Sequence, residues 1–175
     1  INSWLELELN LNKIKNPDFF PKINFGSWVG GDRDGHPFVT PAVTKETLLL
    51  HRKAALSLIK EDLINLAKKI SISAVSNPVT FALSEAVSQK ANALGEVGEN
   101  AIKRNHYEPW RQFVNLMICQ LENTISENFA DSKTYYKSSK DLEEDLKTLR
   151  EILVQNGQKS IAEGLLFSVE RSVKC

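Results

Sequence analysis

From Pro41 to Ile70 the chain has no glycine and no proline beyond the first position, and its apolar residues recur at helical spacing. Thr40 stands just before, with a side-chain oxygen able to accept from an early helical amide. Pro41 follows, where the missing N–H costs nothing. Leu48, Leu49, Arg52, Leu56, Ile59, Leu63, Leu66 and Ile70 fall on one broad face. Such a helix would be roughly 45 Å long at 1.5 Å per residue. An element of that length spans a small domain, so the remaining segments must pack along it.

The same periodicity predicts more helices. One runs from Pro78 to about Leu94, capped by Asn77, with Phe81, Leu83, Ala86, Val87 and Leu94 as its apolar positions. Another runs from Glu108 to about Glu127, with Trp110, Phe113, Val114, Met117, Leu121 and Ile125 inward. A fourth starts at a Ser139 cap and ends at Gln155, with a stripe of Leu142, Leu146, Leu149, Ile152 and Leu153 and a stop at Gly157. Glu143 precedes Lys147 by four residues, the favourable order for a helical ion pair. A fifth begins at Ile161 and runs to Lys174. Ser71–Asn77 is a break. The stretch between Gly95 and His106 is either a flexible loop or a short continuation. Residues 128–138 form a polar connection carrying Tyr135 and Tyr136. Near the start, Leu5, Leu7, Leu9 and Leu11 alternate as in a strand, while Ile1, Trp4, Leu5 and Leu9 share a helix face. Helix is the reading taken, ended by Asn16-Pro17-Asp18. Ile23 to Trp28, between Pro21 and Gly30, reads as a strand or a short extended stretch. The fold class is mainly α: a bundle-like segment of about five helices with one extended piece. It forms a single unit over residues 1–175, with a loop at 23–40 and a helical region at 41–175.

Charge narrows the function. Lys+Arg and Asp+Glu are both 22, for a net charge of +0. Nucleic-acid affinity rests on excess basic residues meeting phosphates, and polybasic membrane binding rests on the same excess, so neither partner is expected. No apolar run approaches the ~20 residues of a membrane span. The two cysteines, Cys119 and Cys175, make no disulfide framework and fit a reducing compartment. His36, His51 and His106 are scattered, without zinc-site spacing. Trp28, Trp110 and Cys119 read as packing residues, and His51, His106 and Tyr107 as surface or cap residues.

One loop stands apart. Gly30, Gly31, Asp32, Arg33, Asp34, Gly35, His36 and Pro37 lie directly before the long helix. Glycines let backbone N–H groups turn toward a ligand, Arg33 offers a planar fork for carboxylate or phosphate, and the positive helix end is close by. Asp32 and Asp34 either hold Arg33 in place or cancel its charge. The competing reading is a tight turn whose Asp and Arg pair with neighbouring elements. No Gly-Lys-Ser/Thr follows, as a phosphate-binding P-loop needs, and the glycine spacing is wrong for a dinucleotide fingerprint. A calcium loop starting at Asp32 would need acids where His36 and Val43 stand.

The run Phe25-Gly-Ser-Trp-Val-Gly-Gly-Asp-Arg-Asp-Gly-His-Pro-Phe-Val-Thr40 closely resembles the F-G-S-W-M-G-G-D-R-D-G-N-P-x-V-T signature of the phosphoenolpyruvate carboxylase family. Val43-Thr44 with its Leu-rich helix, and Ser160-Ile161-Ala162-Glu163-Gly164, are similar to later segments of that family. His36 stands where asparagine is usual, and Val29 where methionine or isoleucine is common. The resemblance implies a large, mainly helical cytoplasmic enzyme built around an α/β barrel and assembled as a homotetramer. It would carboxylate phosphoenolpyruvate with bicarbonate to oxaloacetate and phosphate, using Mg²⁺ or Mn²⁺. This chain would be an internal fragment of about a fifth of it, an expectation that its ends at Ile1 and Cys175 also suggest. The family's T-A-H-P-T-E motif with its catalytic histidine, its metal carboxylates and its later arginine motifs fall outside the chain. The fragment is therefore expected to be inactive alone, to hold no metal, and to need the remainder of the parent polypeptide as its partner. The residues carried over are Gly30, Gly31, Asp32, Arg33, Asp34, Gly35 and Pro37, with Arg33 as anion contact or support and the two aspartates orienting it. The alternative is a stand-alone helical interaction module in which the Gly-rich loop is a structural turn.

Overall fold

A computed structural model of the chain describes residues 26–32, 34, 38–127, 129 and 131–174. The predicted helix near residues 1–13 lies outside them, as do Cys175, residues 23–25 of the expected extended stretch, and Arg33, Gly35, His36 and Pro37. Residues 26–28 carry no strand, and all regular structure among the described residues is helical.

The long helix, α1, spans Pro41–Lys69. Val43 N donates to Thr40 Oγ1 at 3.4 Å, which makes Thr40 the cap foreseen from the sequence. At the other end Arg111 Nε donates to the carbonyls of Ala67 and Ile70 at 2.7 and 3.0 Å. These are orphan acceptors of a helix terminus, where positive charge is favourable. Arg111 is itself held by Glu108 at 2.7 Å, and Glu108 also accepts from Ser71 and Asn105. Only the C-terminal part of the α1 stripe is buried: Ile59, Leu63, Leu66 and Ala67, continued by Ile70. Leu48 and Leu49, expected on the covered face, are exposed. They lie beyond the reach of the shorter helices that cover the rest.

The second helix, α2, is Phe81–Leu94, three residues later than the sequence suggested. Thr80 rather than Asn77 is its cap, accepting from Leu83 N at 3.3 Å, while Asn77 Nδ2 is engaged with the Ser73 carbonyl. Phe81 consequently starts the helix on its outer side and is exposed. The ambiguous stretch after Gly95 is a sixth helix in the count, α3 at Glu96–Lys103, seated by the buried small residues Gly98 and Ala101.

Helix α4, Pro109–Ile125, is the centre of the bundle. Trp110, Phe113, Val114, Leu116, Met117 and Leu121 are buried along one broad face, while Arg111, Asn115, Ile118 and Glu122 on the other side are partly or fully exposed. It packs against α1, α2 and α3 and meets α5. Its buried Gln112 donates to the Ile102 and Asn105 carbonyls at 3.2 and 3.0 Å, satisfying the end of α3.

Helix α5, Ser139–Gln155, buries the stripe read from the sequence in full. Its cap is Ser138, one residue earlier than expected, because the Asp141 carboxylate accepts from the Ser138 and Lys137 amides at 2.9 and 3.0 Å. Lys147 faces Glu151 at 3.9 Å and not Glu143. The stop at Gly157 has φ +73°. Gly157 N donates to Val154 O and Gln158 N to Leu153 O, at 3.0 and 2.8 Å, the paired bonds of a Schellman ending.

The last helical segment, α6, starts at residue 159, two residues early. It is α at Lys159–Ile161, π at Ala162–Leu166 and α again at Phe167–Lys174. It closes the bundle through a two-pronged Arg150–Glu170 bond at 2.7 and 2.6 Å to α5, and through Ser172 donating to Asp62 of α1 at 2.7 Å.

Residues 131–138 are less polar in role than in composition. Tyr136 is buried, its amide donating to Thr124 Oγ1 at 2.9 Å and its hydroxyl to Asp145 Oδ2 at 2.6 Å. Lys90 of α2 also meets Asp145, at 2.5 Å, and lies over the Tyr136 and Phe113 rings. Burial, then the Asp145 charge and hydrogen bond, pushes the Tyr136 hydroxyl well above its ordinary value of 10.0. The folded state therefore holds this proton more tightly than the unfolded chain does. Its contribution to stability is complete below about pH 10 and is lost as pH rises through the raised value. Denaturant unfolding from neutral to strongly alkaline pH should show this loss, and Tyr136→Phe should make the alkaline decline shallower.

Candidate functional site

The described part of the Gly-rich loop is fastened to the first turns of α1. Gly31 N donates to Trp28 O at 3.1 Å, closing a turn with Gly30 at its third position and φ +71°. A turn of this kind asks for a positive φ there, which favours glycine. The Gly30 carbonyl accepts from Thr44 Oγ1 at 2.8 Å. A Cβ placed on Gly30 would overlap the side chain of Thr47, with Thr47 Cβ at 2.7 Å. Gly30 thus serves two needs at once: the backbone conformation and the close approach to α1. Gly31 meets only an ordinary contact, Trp28 O at 3.6 Å.

Further on, Asp32 Oδ1 accepts from Asp34 N at 3.1 Å, so the first aspartate is used in shaping the loop. Asp32 is half-buried and Asp34 exposed. The first turn of α1 contains no acidic residue of its own, and the carboxylates of Asp32 and Asp34 lie in the loop that precedes it. Of the residues carried over, the structure sets Gly30 against α1, closes the turn with Gly31, and joins Asp32 to Asp34. It does not describe Arg33, Gly35 or Pro37, so the pairing of Arg33 with the aspartates remains a matter of proposal. Trp28, read as a packing residue, is 74% exposed, because the turn it starts rests on α1 through Gly30 instead. Trp110, by contrast, is fully buried. His51, His106 and Tyr107 are exposed, as expected. Cys119 is half-buried, and its thiol is pushed up by burial first and then by Glu122, which disfavours the reactive thiolate.

Sequence reasoning missed Thr44 and Thr47 as the seat of the loop. Their spacing from Thr40, four and seven residues, was the available signal, since it stacks all three along one side of α1. Among the described residues no three His, Cys, Asp or Glu side chains converge as a metal ion's ligand set would require. Nor is any helix among them long and apolar enough to cross a membrane.

The Gly30 geometry gives a direct test. Gly30→Ala forces Thr47 aside and strains the backbone, so the loop should lift from α1. In the protein that carries this chain, activity should fall about tenfold or more if the loop arranges a site. Gly30→Ala combined with Thr47→Ala removes the clashes with Thr47 Oγ1 and Cγ2 but keeps the Cβ at 2.7 Å and the strained φ, so it should recover only a small part of the loss. Steady-state kinetics of the two variants decide this.

The loop and helix seen here coincide with a family match that extends over the rest of the chain. The family model described as phosphoenolpyruvate carboxylase matches residues 4–175. The chain belongs to the phosphoenolpyruvate carboxylase family. A protein of Methylorubrum extorquens bearing that name is 36% identical over 177 residues, covering 97% of this chain and 19% of the relative. One from Rhodopseudomonas palustris is 32% identical over 183 residues, covering 100% and 19%. One from Psychromonas ingrahamii is 33% identical over 160 residues, covering 87% and 16%. The chain thus spans about a fifth of the length of these phosphoenolpyruvate carboxylase relatives.

Proposed function

We propose that this chain is a segment of a phosphoenolpyruvate carboxylase, a carbon–carbon lyase that joins phosphoenolpyruvate and bicarbonate to give oxaloacetate and phosphate. The observation that carries the proposal is the family match over residues 4–175 at about a fifth of the relatives' length. The parent is a cytoplasmic homotetramer on this reading, built around an α/β barrel.

Within it, the loop on α1 contributes to the site and does not complete it. Gly30 and Gly31 set the turn, Thr44 and Thr47 seat it, and Arg33 contacts the substrate's anionic groups or supports the residues that do. Asp32 and Asp34 orient Arg33. Both substrates are anions, so a fixed guanidinium lowers the cost of bringing them together. The catalytic histidine and the Mg²⁺ or Mn²⁺ ligands lie in the remainder of the polypeptide, so the fragment alone is inactive.

The test is an oxaloacetate assay with phosphoenolpyruvate, bicarbonate and Mg²⁺, run on the 175-residue chain and on the family-length polypeptide that carries it. Turnover is expected only in the longer protein. Oxaloacetate made by the short chain would place the whole site within these residues. No turnover by the longer one would remove the enzymatic reading.

A further inference from the structure

The covering of α1 is incomplete in a particular way. The helix has 29 residues and its main cover, α4, has 17. At 1.5 Å per residue α1 extends past α4 by roughly 18 Å. The two elements packed on α1, α4 and the end of α6, bury positions from Ile59 onward. N-terminal to this, the same face continues through Leu48, Leu49 and Leu56, of which Leu48 is 63% exposed. On the opposite side stand Val43 and Leu50, with Leu50 at 60%, and Leu58, at 63%, lies on the side of Thr47 but further along the helix. The described part of the loop lies on the side marked by Thr44 and Thr47. The overhang is therefore apolar on two opposite faces. Helices with that pattern are enclosed in their working state.

We propose that the N-terminal half of α1 is the docking face for the remaining four-fifths of the family-length polypeptide, which encloses it from both sides. The inference rests on the family reading above. A second copy of the chain fits less well, because a two-fold contact covers one face of a helix and leaves the opposite one in water. The relatives, by contrast, carry several times the length of this chain with which to surround it. The covering surface is apolar, with a carboxylate for Arg52, which is exposed between Leu48, Leu49 and Leu56 on the same face.

Backbone amide exchange over residues 43–58 tests this in the 175-residue chain and in the family-length polypeptide. Exchange is expected to slow by about a hundredfold or more in the longer protein, against less than about tenfold at residues 59–69, which are already covered. Leu50→Glu and Leu58→Glu, made separately in the longer protein, should each undo at least about tenfold of that slowing and leave the short chain unchanged. Equal exchange in the two proteins overturns the proposal. So does a dimer of the short chain that both variants dissolve while exchange in the longer protein stays the same. Slow exchange without oxaloacetate production would remove the enzymatic reading and keep the docking face. Oxaloacetate production with equal exchange would do the reverse.

Discussion

With Arg33 replaced by alanine, the family-length enzyme is expected to turn over about a hundredfold more slowly or worse, the usual loss when one fixed donor to a charged group is removed. The argument comes from its neighbours. Gly30 and Gly31 hold the chain in a tight turn against α1, Thr44 locks that turn through the Gly30 carbonyl, and Asp32 is committed to the Asp34 amide through one oxygen. On the proposed reading the Arg33 guanidinium, which lies between these two aspartates in sequence, meets an anion. Circular dichroism should not change, since no helix depends on this loop for its core. Arg33→Lys keeps the charge but loses the planar fork, so it should restore only part of the rate. Unchanged kinetics in Arg33→Ala would assign the residue to the structure of the turn.

Trp110→Ala is expected to have the largest effect on stability. Trp110 sits at the start of α4, the helix that touches most of the others, and is fully buried. Truncating a buried tryptophan costs about 3–5 kcal/mol, through lost burial and the cavity left behind. Domains of this size have about 5–15 kcal/mol in total. The melting temperature should therefore fall by about 10 °C or more. Trp110→Phe provides the contrast. It keeps most of the ring and removes an indole N–H that finds no partner among the described residues, so its cost should stay below about 1.5 kcal/mol. Thermal melts of the two variants separate cavity formation from a general intolerance of change at this position. A small loss in Trp110→Ala would mean that α4 is not the centre of the core.

Sequence reasoning located helices wherever a local signal was complete. Thr40-Pro41 opened α1, Gly157 closed α5, and the α5 stripe from Leu142 to Leu153 is buried as read. These features follow from periodicity and from hydrogen bonds within a turn or two, so the residues involved are close in sequence. The errors were in the caps, which hydrogen bonding decides. The sequence reading makes Asn77 the cap of α2, but its amide donates to the Ser73 carbonyl and Thr80 caps the helix. It makes Ser139 the cap of α5, but Asp141 reaches back to Ser138. In the candidate site the loop itself was legible, because its Gly, Asp and Arg residues form a rare run. Its attachment was not, because Thr44 and Thr47 look like ordinary helix residues until Gly30 is set against them.

By itself the sequence determined the helical class, the neutral charge that excludes a polybasic binder, and the family, through a signature whose residues are contiguous. The tertiary structure decided what depends on distance in the chain. It placed α4 at the centre, brought Arg111 to the end of α1, and buried Tyr136 against Asp145 and Lys90. It also showed that Leu48, Leu50 and Leu58 of α1 are exposed. The apolar pattern of a helix states that a face must be covered, whereas the length and position of the partner helix decide how far the cover extends.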